Sequence, residues 1–319
     1  MLKKGTIHWL HSLERGINIP LMLRSKTKIY WLFLSVMLIW GLSWPMNKIG
    51  IQYLSPIWFT TCRLIIATIS SFVVVKFLGK LVFPSKRDLP LILSIGLLQM
   101  GIFTILINIG LQFVDAGRSA ILSYTTPLWV LPIAILWFNE KATFLKWMGF
   151  GLGMSGVLVL FSPWTIDWSD RQTILGNLTL LAAAFCMAIS ILAARNLRWH
   201  RSPLELLPWQ FLVGALPTLA LAFYIDPHPV AEWNAPLIMT LVYTGLIGTA
   251  IGNFAAMIVG KELPSITVSL GFLGVPIFGV LFSSLILHEA ITLSIQLALL
   301  LIPSGIACLS VKRPLAKTS

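Results

Sequence analysis

Ten separate stretches of mostly apolar residues divide this chain, at roughly 30–49, 57–78, 89–110, 117–137, 143–161, 173–193, 206–225, 236–257, 263–286 and 291–310. Each approaches or reaches the ~20 residues that an α-helix needs to cross a bilayer. Apolar residues make up 57% of the sequence and charged residues 11%, against about 45–50% and 25% in soluble domains. A soluble fold has no interior large enough for that surface, so the chain reads as an all-α polytopic membrane protein with ten transmembrane helices. The net charge of +12 does not indicate nucleic acid, because the cations sit in the connections between apolar runs. Those connections are too short for a separate soluble domain, which leaves function inside the membrane. Cys62, Cys186 and Cys308 stand alone within apolar runs, as packing thiols do.

Lys and Arg fix an orientation. With the N-terminus inside, nineteen of them fall on the inner side and only Lys48, Arg118 and Arg171 on the outer, with Arg63 inside the second span. Such a bias places both termini in the cytoplasm. Residues 1–29 carry six cations and no continuous apolar run, so they read as a basic cytoplasmic leader rather than a cleaved signal. Residues 311–319 form a cytoplasmic tail.

A second pattern is a duplication. A shift of 149 positions carries Pro127 onto Pro276, Glu140 onto Glu289, Thr143 onto Thr292, Ser155 onto Ser304 and Gly156 onto Gly305. A period this long marks a doubled half-protein, since solenoid repeats run about 20–50 residues. The halves are 30–161 and 173–310. Five spans per copy is an odd number, so the second copy enters the membrane from the opposite side, giving two five-helix inverted repeats around a central cavity. That architecture belongs to secondary transporters with a midplane site.

Trp40-Gly41-Leu42-Ser43-Trp44-Pro45, Arg63-Leu64 and the two Pro–Glu–Gly arrays resemble the drug/metabolite transporter superfamily, specifically its ten-helix EamA-type members, over about residues 30–310. The resemblance implies a bacterial inner membrane or an equivalent one and transport, commonly export, of small metabolites such as amino acids. The second half carries small residues around Cys186–Ser190 where the Trp-Gly motif would repeat.

Candidate substrate-binding residues come from polar and aromatic groups at helical spacing. Trp40, Ser43, Trp44 and Asn47 share one face of the first span, where indoles can wall in an apolar solute and polar groups orient it. Thr104, Asn108 and Gln112 recur every four residues in the third span, and the 149 shift carries Thr104 onto Asn253 in the eighth. Tyr124, Gln210 and Tyr243 are further candidates. Arg63, costing about 2.5–3.5 kcal/mol at a helix centre, is expected to snorkel or bind helix-end carbonyls, a substrate carboxylate being the sharper alternative. Glu140 and Glu289 are expected to complement the positive end of the helix that follows each.

Gly151-Leu152-Gly153-Met154-Ser155-Gly156, with Asp170 19 positions beyond Gly151, fits a dinucleotide fingerprint in letters. It follows no strand and lies within a span, so Gly149 and Gly153 read as a surface for close helix approach. No catalytic motif and no cofactor or metal site is expected. The absence of Asp or Glu from the middle of every span points away from a carboxylate-driven pump. The function that follows is a transporter of neutral, zwitterionic or aromatic small molecules, working as a facilitator. A membrane-embedded enzyme, whose largest acidic cluster would be Asp167 and Asp170 on one short loop, and a nontransporting sensor or assembly partner are the alternatives.

Overall fold

In a computed structural model of the protein, residues 26–139, 142–161 and 170–310 are described. Glu140, Lys141, Asp167, the leader before residue 26 and the tail after residue 310 lie outside the described residues. The structure is all-helical, with ten helices that we number in chain order: α1 Lys26–Gly50, α2 Pro56–Phe77, α3 Leu89–Phe113, α4 Ala116–Phe138, α5 Phe144–Phe161, α6 Arg171–Asn196, α7 Pro203–Ile225, α8 Ala235–Glu262, α9 Thr267–Leu287 and α10 Leu293–Ser310. Nine of them are long and apolar enough to cross a membrane, and α5 is a shorter apolar helix. In hydrocarbon an unsatisfied peptide group costs several kcal/mol, which is why such runs close their hydrogen bonds within one helix.

The helix ends obey local chemistry. Ser202 and Glu205 form a reciprocal capping box ahead of Pro203 in the first turn of α7, and Asn234 accepts from the Leu237 N–H at the start of α8. Asp170 caps α6 by accepting from the N–H of Gln172 and Thr173. The Thr173 hydroxyl and these amides hold its carboxyl below the usual carboxylate range.

Positions 149 apart carry the same backbone irregularities. The helix α3 widens to π-type turns over Ser94–Ile102 and α8 does so over Tyr243–Ile251. Asn139 and His288 end α4 and α9 in left-handed conformation, with φ of 50° and 57°, as residues just past a helix do. Both α4 and α9 are interrupted by a turn just before Pro127 and Pro276.

Small residues set the closest helix contacts. A Cβ on Gly149 would lie 2.6 Å from the Gly305 carbonyl oxygen, and one on Gly305 would lie 2.6 Å from the Gly153 nitrogen. The α5–α10 crossing is therefore almost backbone on backbone, as the Gly149–Gly153 spacing leads one to expect. A seam of the same kind joins α9 to α1 and α4. A Cβ on Gly41 would meet Phe278 at 2.5 Å, one on Gly117 would meet Val280 at 3.3 Å, and one on Gly279 would meet Ala120 at 2.9 Å.

Candidate functional site

Arg63 lies two turns into α2, and its guanidinium joins three helices. Nε donates to Thr249 Oγ1 of α8 at 2.8 Å, and Nη1 donates to Asn47 Oδ1 of α1 at 3.3 Å. Thr249 passes its own proton to the Thr244 carbonyl at 2.7 Å; that hydroxyl spans five residues inside the widened turns of α8. Arg63 thus does not turn to helix-end carbonyls: side chains of α1 and α8 supply its acceptors. Both acceptors are neutral, and among the described residues no carboxylate forms an ion pair with it.

Beside this group, the Trp40–Asn47 face of α1 divides into two jobs. Trp40 donates from its indole N–H to the Gly248 carbonyl at 3.0 Å and stacks on Phe272, with centroids 5.1 Å apart. Tyr243 donates its hydroxyl to the Ile39 carbonyl at 2.9 Å, and the Ser43 hydroxyl donates to the same oxygen at 2.8 Å. Trp44, one turn from Trp40, is buried in the main apolar core against Gly279. Trp40, Ser43, Asn47, Arg63, Tyr243 and Thr249 are thus brought together where α1 and α2 of the first copy meet α8 of the second, with Trp40, Arg63 and Tyr243 only half-buried.

The remaining candidates are placed elsewhere. Asn108 is fully buried and donates to Thr60 Oγ1 at 2.8 Å, tying α3 to α2. Thr104 turns to the Gln99 carbonyl at 3.5 Å and Asn253 to the Thr249 carbonyl at 2.8 Å, so each bonds within its own helix and no hydrogen bond joins the two. Gln112 is exposed at the end of α3. Tyr124 packs at the edge of the main core. Gln210 is buried, with its Nε2 unpartnered.

Glu289 departs from expectation in a different way. Its Oε1 accepts from the Ala116 N–H at 2.7 Å and its Oε2 from the Gly117 N–H at 2.9 Å. It caps α4, a helix of the other copy, rather than α10, which follows it. The reason is local: Asp115 precedes α4 but makes no side-chain cap, leaving those first amides without an acceptor. Lys48 completes the clasp by donating to the carbonyls of Leu111 and Val114 at the end of α3. Burial, with Asp115 adding to it, pushes the Glu289 carboxyl above its ordinary value despite the two amides and Lys48.

Arg63's bond to Thr249 and the Glu289–α4 contact were not foreseeable from spacing, because each joins residues more than 170 positions apart. The one available signal was Arg63 itself, a charge that the membrane forces to find partners.

The family model described as the EamA-like transporter family matches this chain twice, at residues 27–162 and 174–311. An uncharacterized transporter of Bacillus subtilis, YoaV, is 32% identical over 277 residues, spanning 86% of this chain and 93% of that protein. A probable amino-acid metabolite efflux pump of Escherichia coli is 23% identical over 284 residues, spanning 86% and 92%. A solved crystal structure superposes with a TM-score of 0.62 at 18% identity, over 89% of this chain and 96% of that one, a likeness of fold alone.

Proposed function

We propose, because the chain belongs to the EamA-like transporter family, that it is a secondary transporter exporting small metabolites, amino acids first, across a bacterial inner membrane. The two copies, 30–161 and 173–310, act as inverted halves that rock about a site between them, with both termini in the cytoplasm. The observation that carries this reading is the polar group joining the copies: Trp40, Ser43, Asn47 and Arg63 from the first meet Tyr243 and Thr249 from the second. Within a span an ionisable side chain is costly and marks a solute or ion path by default, and Arg63 stands in this group. The half-buried indole of Trp40 on Phe272 gives the group an apolar wall, the usual partner of a few orienting polar groups in a small-molecule site. The name of the Escherichia coli relative supports amino acids as the first solutes to test.

Counterflow in proteoliposomes at equal pH on both sides tests the reading. Vesicles loaded with unlabelled amino acid should accumulate labelled amino acid transiently. No exchange across a broad panel of amino acids and other small metabolites refutes it.

A further inference from the structure

A permanently charged guanidinium inside a span needs a reason, and two groups that could supply a structural one do not. The carboxylates nearest in kind, Glu289 and Asp115, sit at helix ends, where Glu289 is already engaged with the amides of Ala116 and Gly117. Asn47 and Thr249 offer Arg63 one neutral oxygen each. Two neutral acceptors orient a guanidinium without neutralising it. A guanidinium carries five N–H donors in a planar fork, so two bonds leave the rest of the fork for another acceptor. No Arg63 nitrogen is both sealed from solvent and unpartnered, whereas Arg118 Nε and Nη2 are. Any Arg63 nitrogen left without a partner therefore keeps accessible surface. The 149 shift places Leu212 at the equivalent point of the second copy, so the scaffold does not demand a cation there.

We propose that Arg63 is the anion-recognising residue of the transport site, binding the carboxylate of the solute through the part of its fork that Asn47 and Thr249 leave open. This deepens the transporter reading and rests on it. Asn47 and Thr249 are positioning residues: they fix the plane of the fork so that both oxygens of a carboxylate can be met together, the arrangement that makes guanidinium–carboxylate pairs strong. Trp40 and Phe272, stacked on the neighbouring face, would contact the rest of the solute. Solutes with the carboxylate removed or masked, such as the corresponding amine or amide, lose the pairing and leave the guanidinium without a counter-charge.

Thermal stabilisation of the purified protein reads binding without needing transport. The probes are leucine, phenylalanine, their amides and the matching amines, each with wild type, Arg63→Gln and Arg63→Lys. Wild type should be stabilised by the amino acids and not by amides or amines. Arg63→Gln should lose that stabilisation, a change of roughly 10- to 100-fold in affinity if one charge-assisted pair of about 1.5–3 kcal/mol is removed. Arg63→Lys, which keeps the charge without the fork, should recover part of it. Equal stabilisation by acids and amides, stabilisation surviving in folded Arg63→Gln, or no stabilisation by any carboxylate overturns the proposal. If Arg63→Gln fails to fold, the wild-type comparison of acid with amide decides alone. Counterflow of the same compounds separates the two claims: exchange that ignores the carboxylate refutes the role of Arg63 and leaves the transporter reading standing.

Discussion

The two copies differ in an instructive way. What repeats at a spacing of 149 is backbone: the widened turns at Ser94–Ile102 and Tyr243–Ile251, the left-handed Asn139 and His288, and the breaks before Pro127 and Pro276. What does not repeat is most of the chemistry at the junction, although Asn47 recurs as Asn196 and Glu140 as Glu289. Trp40 falls on Ile189, Ser43 on Leu192, Lys48 on Leu197, Arg63 on Leu212 and Asp115 on Pro264. The glycines of the seam between α9 and α4 are likewise present once: Gly117 falls on Ile266, and Gly279 is the counterpart of Val130. A duplicated scaffold needs the same bends twice, because each copy must cross the membrane and pack in the same way. A solute site lying between the copies needs its charged and aromatic groups only once.

The two indoles of α1 separate core packing from the junction. Trp44→Ala opens a cavity in the main core and should cost about 3–5 kcal/mol of stability, read as a lower melting temperature in detergent. Trp40→Phe keeps the stack on Phe272 and removes only the hydrogen bond to Gly248, so it should melt near wild type while altering transport. Equal melting losses in both would contradict the division of labour between neighbouring turns.

Among repeated features, Gly305 at the α5–α10 crossing is the most sensitive. Gly305→Leu forces apart backbones that a Cβ would already meet at 2.6 Å and should destabilise by about 1–3 kcal/mol. Gly151, with open space around its Cα, supplies the control: Gly151→Leu should leave the melting temperature unchanged. A similar drop in both would mean the crossing is looser than the glycines indicate.

Smaller effects come from the polar ties. Asn108→Leu removes the bond to Thr60, worth about 0.6 kcal/mol on the scale of interhelical pairs in membranes, and should lower stability with little change in exchange rate. Glu289 gives a pH dependence. Its folded carboxyl holds a proton more tightly than when unfolded, so this contribution to stability is fully present below the unfolded value and is lost as pH rises through the folded one. Glu289→Gln cannot ionise. Its melting temperature should therefore gain on wild type as pH is raised from acid to neutral; a difference that is flat across that range would exclude net burial as the dominant influence on Glu289.

Much of the fold was legible in the chain. Length and apolar content locate the spans, and the recurrence of Pro127, Thr143 and Ser155 reveals the doubling, because bilayer thickness and helix geometry leave few alternatives. The widened turns in α3 and α8 carried no such mark: a change of hydrogen-bond register alters no apolar pattern. The site was half legible. Helical spacing puts Trp40 and Trp44 on one face, but that face spans both the core and the junction between copies, and only packing assigns each indole. The dipole rule states what Glu289 should bind, not which helix end lies within its reach. Asn108 and Thr104 share a polar stripe, yet Asn108 reaches across to Thr60 of α2 while Thr104 bonds back to the Gln99 carbonyl of its own helix.

Amino-acid counterflow in a variant carrying the second copy's residues at the unrepeated positions, Trp40→Ile, Ser43→Leu and Arg63→Leu together, tests the central claim most directly. The account predicts that this variant, folded and inserted as wild type is, exchanges no labelled amino acid above empty vesicles. Exchange at the wild-type rate would place the solute elsewhere and contradict it.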